Sequence, residues 1–283
     1  MTLDVSIEFV STSGLAGVGD TNGDGYADVA VSNYGNGRAR LYFGGPGGLS
    51  AELSTPLNDL DGTLRSFGRS VVGAGDVNGD GFADILAITG SAEACVYLGS
   101  AMAPGGSSVV LNGPSGDNGE FRSAAGVDDM NGDGYADVIV GEDGFSHAYI
   151  YFGRPQGPAA TASVDLLSPD GEASLFGFGI SGVGDSNGDG LADAVVGTDQ
   201  TGRIYVYLGS DATIGPLPSV TPVSPNGGTA GFGFPVKGAG DVNGDGFEDL
   251  LVGDDSGNAL PFLYRGSSSG LPASVSTTLP TPP

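Results

Sequence analysis

Apolar residues in this chain come in short runs without the 3.6-residue period of a helix. Some alternate with small or polar residues, as from Ala94 to Leu98. Others are nearly continuous, such as Ala136-Asp137-Val138-Ile139-Val140. β-Branched and aromatic residues fill the runs, and clusters of Gly, Asn, Asp and Ser separate them, so the pattern predicts strands joined by turns. The runs keep a fixed order. A small-residue run such as Ser70-Val71-Val72-Gly73-Ala74-Gly75 leads into a polar turn, an apolar run follows, and a loop rich in Gly, Asp and Asn comes next. A strand then ends in an aromatic-glycine signature: LYFG from Leu41, VYLG from Val96, IYFG from Ile150, VYLG from Val206 and the altered LYRG from Leu263. A variable segment closes the unit on a short β-prone run, such as Ser107 to Leu111 or Ser163 to Leu167. That order predicts four short strands per unit.

The polar turn recurs as one nine-residue phrase: DTNGDGYAD from Asp20, DVNGDGFAD from Asp76, DMNGDGYAD from Asp129, DSNGDGLAD from Asp185 and DVNGDGFED from Asp241. Successive starts lie 56, 53, 56 and 56 residues apart. Four antiparallel strands repeated at this length point to propeller blades, because one such sheet cannot bury both faces alone and radial stacking covers them. A solenoid coil is usually shorter, and a lone β-domain of this size would bury little core. The expected fold is therefore all-β: a five-bladed β-propeller of four antiparallel strands per blade, forming one domain over 1–283. Its repeats fall at approximately 9–66, 67–120, 121–175, 176–231 and 232–283. Residues 274–279 are expected to supply the outer strand of the fifth blade. Residues 3–10 form a spare strand that either overlaps the closure or belongs to an upstream repeat.

Composition narrows the function. Thirty-four acidic residues against nine basic ones give a formal charge of −25, and 39% of residues are hydrophobic. No basic patch for nucleic acid can be assembled from so few cations. No apolar run approaches the ~18 residues of a membrane span. No stretch reads as a secretory leader, which suits a mature chain or a piece of a longer one, and the Pro-rich end at 279–283 reads as a linker. The single cysteine, Cys95, excludes an intrachain disulfide and reads as a small core residue. The single histidine, His147, reads as a surface or strand-edge residue. No Ser-His-Asp, Cys-His or zinc-ligand set is evident, so the chain is read as a non-enzyme.

Charge becomes chemistry in the nine-residue phrase. Positions 1, 3, 5 and 9 supply side-chain oxygens, and position 7 a backbone carbonyl. The expected ligands are Asp20, Asn22, Asp24, Tyr26 and Asp28; Asp76, Asn78, Asp80, Phe82 and Asp84; Asp129, Asn131, Asp133, Tyr135 and Asp137; Asp185, Asn187, Asp189, Leu191 and Asp193; and Asp241, Asn243, Asp245, Phe247 and Asp249. Calcium is a hard cation that takes six to eight oxygens, and the first half of an EF-hand loop supplies them at this spacing. Here Asp at position 9 closes the loop, and strands flank it. Two unit charges ~4 Å apart repel by roughly 4 kcal/mol at an effective dielectric of ~20, so three carboxylates per loop need a counter-ion. Turn propensity explains the Gly and Asn of NGDG but not Asp at positions 1, 5 and 9 in every copy. Magnesium, which keeps more water, suits the loop less. Five Ca2+ sites are expected, each between the first and second strands of a blade. The side chain at position 7 is expected to vary freely.

These residues resemble the FG-GAP repeats of integrin α-subunit propellers and their bacterial relatives. Phe67-Gly68, Phe176-Gly177 and Phe232-Gly233 stand nine residues before a loop's first Asp, and Gly73-Ala74-Gly75 and Gly238-Ala239-Gly240 look like the Gly-Ala-Pro element with glycine in place of proline. The third repeat has Phe121-Arg122 instead, and the first has no clean Phe-Gly, so those two blades are expected to join differently. Integrin propellers have seven blades, whereas this chain shows five repeats. The resemblance implies an extracellular or cell-surface module that binds a protein or glycan ligand on the face opposite the calcium loops. That face would be built from loops at 33–37, 89–93, 142–147, 198–202 and 254–258 and from inter-blade loops at 58–67 and 168–176. The leading expectation is a calcium-stabilised adhesion or binding propeller. A calcium-dependent lectin is the alternative, weakened by the absence of tryptophan.

Overall fold

The structure is a computed structural model, and it describes residues 14–280 apart from 34, 36, 51, 59–66, 90–91, 103–105, 115–118, 229–230 and 256–259. The spare strand expected at 3–10 and the end of the Pro-rich tail lie outside the described residues. Five antiparallel sheets follow one another along the chain. The first contains β1 (Gly14–Gly19), β2 (Asp28–Asn33), β3 (Arg38–Tyr42) and β4 (Ser54–Leu57). The second contains β5 (Val71–Gly75), β6 (Asp84–Ile88), β7 (Glu93–Leu98) and β8 (Ser107–Asn112). The third contains β9 (Ser123–Val127), β10 (Asp137–Glu142), β11 (His147–Tyr151) and β12 (Val164–Leu167). The fourth has β13 (Gly179–Gly184), β14 (Asp193–Gly197) and β15 (Ile204–Tyr207). The fifth has β16 (Phe232–Gly240), β17 (Asp249–Asp254), β18 (Phe262–Tyr264) and β19 (Thr277–Thr278), the last within the expected outer segment.

Strands in each sheet lie in sequence order. The fourth sheet is completed by isolated bridges of Arg203 to Val223 and Val206 to Val220 rather than by a regular strand. Prolines explain the interruption: Pro218 and Pro222 flank Val220 and lack the N–H that a ladder needs. Ile204 and Val206 still donate to the carbonyls of Pro222 and Val220 at 3.1 and 3.0 Å.

By contact density the chain divides into two compact units, one comprising 1–126, 135–138 and 151–162, the other 127–134, 139–150 and 163–283. In the first unit, a core of Val18, Ala30, Leu41, Leu57, Phe67, Val71, Ile85, Cys95 and Tyr97 lies between the first and second sheets. In the second, Val183, Val195, Ile204, Val206, Phe232, Val236, Leu250, Phe262 and Tyr264 fill the space between the fourth and fifth sheets. Burying a large apolar side chain contributes about 1.5–3 kcal/mol, so these inter-sheet layers are the main source of cohesion. Cys95 is buried, as its alternating run predicts.

A Phe at or just ahead of the first strand of the second to fifth sheets anchors each junction. Phe67, Phe121, Phe176 and Phe232 are all fully buried. Phe67 meets Tyr97 edge-on at 6.4 Å, and Phe176 meets Tyr205 at 5.5 Å. Their following glycines have positive φ, and a Cβ on Gly68 would lie 2.8 Å from that of Ser32 in the preceding sheet. Phe121 keeps the anchor although Arg122 replaces the glycine.

Candidate metal centre

The first and second strands of every sheet are joined by one copy of the nine-residue phrase. One oxygen of the position-1 carboxylate accepts the N–H of position 4 at 2.6–2.7 Å and that of position 5 at 3.1–3.2 Å. Its other oxygen accepts the N–H of position 6 at 2.7–2.8 Å. The glycines at positions 4 and 6 allow this curl. In the second loop Gly79 has φ +73° and Gly81 +90°, a region that costs other residues strain. The position-3 Asn accepts the N–H of position 5 and donates its amide to the position-5 carboxylate, at 3.1 and 2.9 Å for Asn78. Asp80 also accepts the N–H of Phe82 at 3.1 Å.

Asp28, Asp84, Asp137, Asp193 and Asp249, at position 9, are fully buried. Each accepts the N–H of the glycine that ends its own aromatic signature: Gly44, Gly99, Gly153, Gly209 and Gly266, at 2.7–2.9 Å. In the first, second, fourth and fifth loops the other oxygen accepts the N–H of position 2 at 2.8–3.0 Å. The hydroxyls of Thr21 and Ser186 add a donor to Asp28 and Asp193. Position 9 thus ties the loop to the end of the third strand. Burial pushes the Asp84 carboxyl up to about 7, against the N–H bonds from Gly99 and Val77, and the charges of Asp76 and Asp80 push the same way. Asp193 is raised by burial as well. The position-1 carboxyl of Asp241 is held low, first by the N–H of Gly246 and then by those of Gly244 and Asp245.

These bonds determine where the side chains point. Positions 1 and 5 are folded onto loop amides and position 9 onto the strand end. Among the described residues no three His, Cys, Asp or Glu side chains converge as a metal cluster. The donor chemistry fits a hard cation: it is all oxygen, and a carboxylate oxygen that accepts one N–H retains a second lone pair.

Neighbouring loops are bonded to one another in a repeated way. In the first unit the position-8 amides of Ala83 and Ala136 donate to the position-1 carbonyls of Asp20 and Asp76, both at 3.0 Å. In the second, Ala192 and Glu248 donate to Asp129 and Asp185 at 2.9 and 3.0 Å. The residue after each signature glycine reaches the position-2 carbonyl of the preceding loop: Ser100 to Thr21, Arg154 to Val77, Ser210 to Met130 and Ser267 to Ser186, at 2.8–3.0 Å. That approach leaves no room for a side chain at the signature glycine. A Cβ on Gly99 would stand 2.5 Å from the Ala83 carbonyl oxygen and 2.9 Å from that of Thr21.

Position 7 departs from expectation. Its side chain does not vary freely but covers the position-4 glycine of the preceding loop: Phe82 on Gly23, Tyr135 on Gly79, Leu191 on Gly132 and Phe247 on Gly188. The signal was present in the sequence, since all five position-7 residues are large and apolar or aromatic.

At the other end of the sheets, the expected ligand loops at 33–37, 58–67, 89–93 and 254–258 lie partly outside the described residues. Those at 142–147, 168–176 and 198–202 are described. Asp170 accepts hydrogen bonds from the Tyr205 hydroxyl at 2.5 Å and from Arg203. Burial raises its pKa, but the hydroxyls of Tyr205 and Thr201 and the Arg203 guanidinium outweigh that and hold it below the ordinary value. Ser146 donates to the Glu172 carbonyl at 2.7 Å, and Phe145 is 41% exposed. His147 stands at the start of β11 as expected, with Nδ1 2.7 Å from Asp165 Oδ1 and its ring stacked on Tyr149.

A model of the FG-GAP-like repeat matches residues 20–87, 129–196 and 185–252, more than half of the chain. The chain belongs to the FG-GAP repeat family. Its relatives include integrin alpha-IIb of Mus musculus, 32% identical over 141 residues, which are 44% of this chain and 14% of the relative. Integrin alpha-7 of Rattus norvegicus is 33% identical over 146 residues, 48% of this chain and 12% of that protein. Integrin alpha-PS3 of Drosophila melanogaster is 35% identical over 101 residues, 33% of this chain and 9% of that protein. The chain thus matches only a small part of the length of each. In this FG-GAP protein the family's Phe anchors a junction between sheets, and its Asp-rich loop joins the first two strands. No described helix is long and apolar enough to cross a membrane.

Proposed function

We propose that this FG-GAP protein is a calcium-stabilised binding or adhesion module acting outside the cell, with its five sheets as the blades of a β-propeller. The reading rests on one observation: the same oxygen-rich loop, with the same backbone curl, closes the first hairpin of every sheet. Asp, Asn, Asp and Asp at positions 1, 3, 5 and 9, with the carbonyl at position 7, would hold one Ca2+ in each loop. The ion would neutralise the loop's carboxylates and pin the hairpin. Binding would fall to the opposite end of the sheets, where the connections at 142–147, 168–176 and 198–202 differ in sequence while the metal loops do not. Variable loops on a repeated rigid scaffold suit recognition. The integrin relatives favour a protein partner over a substrate, and the chain is read as non-catalytic.

The test is capture by the immobilised chain in calcium and in chelator, run beside a glycan array. A protein partner retained in calcium, lost in chelator and lost on substitution of the exposed Phe145 is the expected result. A specific array signal with no protein partner would replace this reading with a calcium-dependent lectin. Capture unaffected by chelator would remove calcium from the account.

A further inference from the structure

The second to fifth repeats each lay one side chain on the loop of the repeat before. In the first unit, a Cβ on Gly23 would stand 2.5 Å from Phe82 Cε1, and one on Gly79 2.6 Å from Tyr135 Cε1. In the second unit, a Cβ on Gly188 would stand 2.7 Å from Phe247 Cε1, and one on Gly132 3.3 Å from Leu191 Cδ2. At the three aromatic junctions the three atoms nearest to such a Cβ all belong to the next repeat's ring. The covered residue is the pivot of the ligand curl. It lies between the position-3 Asn and the position-5 Asp, its N–H donates to the position-1 carboxylate at 2.6–2.7 Å, and its φ is +73° to +78°. Glycine is also the residue with most backbone freedom to lose. The covering side chain is held from behind, because the position-8 N–H beside it donates to the position-1 carbonyl of the covered loop at 2.9–3.0 Å.

We infer that Phe82, Tyr135, Leu191 and Phe247 are positioning residues for the metal loop of the repeat before their own. Each presses on a position-4 glycine and so holds the position-3 and position-5 oxygens, one on either side, in the curl that would meet a cation. Toward its own loop's cation the same residue would offer only its backbone carbonyl, which the side chain does not alter. Two neighbouring loops therefore respond differently to one substitution. Fixing one backbone residue ahead of binding spares an ordering cost equivalent to about five- to thirtyfold in affinity. Leu191 makes the looser cover, so the third loop has most to gain from a larger side chain. The role in affinity rests on the calcium reading of these loops; the hold on the glycine does not.

Residue-resolved hydrogen exchange of the full chain by NMR, over a calcium series, tests it by following the position-4 and position-6 glycine amides of each loop. Phe82→Ala should raise the calcium midpoint of the first loop about five- to thirtyfold and leave that of the second within about twofold. In chelator the same variant should speed exchange at Gly23 and Gly25, which donate to Asp20, more than at Gly79 and Gly81. Phe82→Tyr, which supplies the ring that Tyr135 lays on Gly79, should restore both. Leu191→Phe should lower the third loop's midpoint about fivefold, a gain that a damaged fold cannot mimic. An unmoved first-loop midpoint, an equal shift in both loops, or no gain from Leu191→Phe would each overturn the inference. A parent in which calcium protects no loop would overturn the calcium reading instead. The chelator arm then decides alone: faster exchange at Gly23 and Gly25 in Phe82→Ala keeps the positioning role, and unchanged exchange removes it.

Discussion

Backbone proximity governs the signature glycines. Gly99 donates to Asp84 Oδ1 at 2.7 Å while two carbonyl oxygens, one from its own loop and one from the loop before, stand where a Cβ would go. The Thr21 carbonyl accepts the Ser100 N–H at 2.9 Å and cannot retreat without breaking that bond between loops. Gly99→Ala should therefore lower stability by about 1–3 kcal/mol, the usual cost of forcing atoms into a filled space. The urea midpoint should fall at unchanged slope. Asp170 tests a different contact. Asp170→Asn should cost about 1 kcal/mol, the net worth of an ordinary hydrogen bond, because Arg203 is 44% exposed and solvent screens that pair. The native carboxyl is held below its ordinary value, so its contribution is complete above the unfolded pKa near ~4 and is lost as pH falls through the lower folded value. The stability gap between parent and variant should thus shrink on acidification below pH ~4 and stay level above it. Equal gaps at both ends would contradict the assignment. The nine-residue phrase made the Asp positions legible in the sequence. The partners of position 9 were not, because Gly99 and its equivalents come from a strand about fifteen residues away, with |i−j| of 15 for Asp84 and Gly99.

Strand number and order were legible because side-chain alternation and turn residues are local properties. The four-strand grammar matches four of the five sheets in full. The fourth sheet falls short where Pro218 and Pro222 remove ladder donors, a signal present in the sequence but unread. Arg122 in place of the family's glycine suggested a different join for the third repeat. Phe121 is nevertheless as buried as Phe67, since the anchor needs the ring and not the residue after it. Phe121→Ala should cost about 3–5 kcal/mol, as a large cavity in a close-packed layer does. Phe67→Ala should cost a similar amount. A much smaller loss at Phe121 in chemical unfolding would show that the third junction is built otherwise. The coverage of Gly23, Gly79, Gly132 and Gly188 by the next repeat's position-7 side chain could not be read from one repeat alone. It is a contact between units some 56 residues apart in sequence.

For the whole molecule, the question is what balances a formal charge of −25, to which fifteen carboxylates at positions 1, 5 and 9 of the five loops contribute. A cation bound only by the folded chain adds RT ln(1 + [L]/Kd), about 1.4 kcal/mol per site at tenfold Kd, so five sites would add roughly 7 kcal/mol. That is comparable with the 5–15 kcal/mol stability of an ordinary domain. Calcium should therefore decide whether the chain is folded at the temperatures at which it works, and bonds between neighbouring loops should spread that effect beyond each hairpin. The most direct measurement is equilibrium dialysis against calcium with metal analysis, paired with thermal unfolding in calcium and in chelator. Close to five calcium ions per chain and a large fall in melting temperature on chelation are the predicted result; a chain that retains no calcium and melts at the same temperature in both buffers would contradict it.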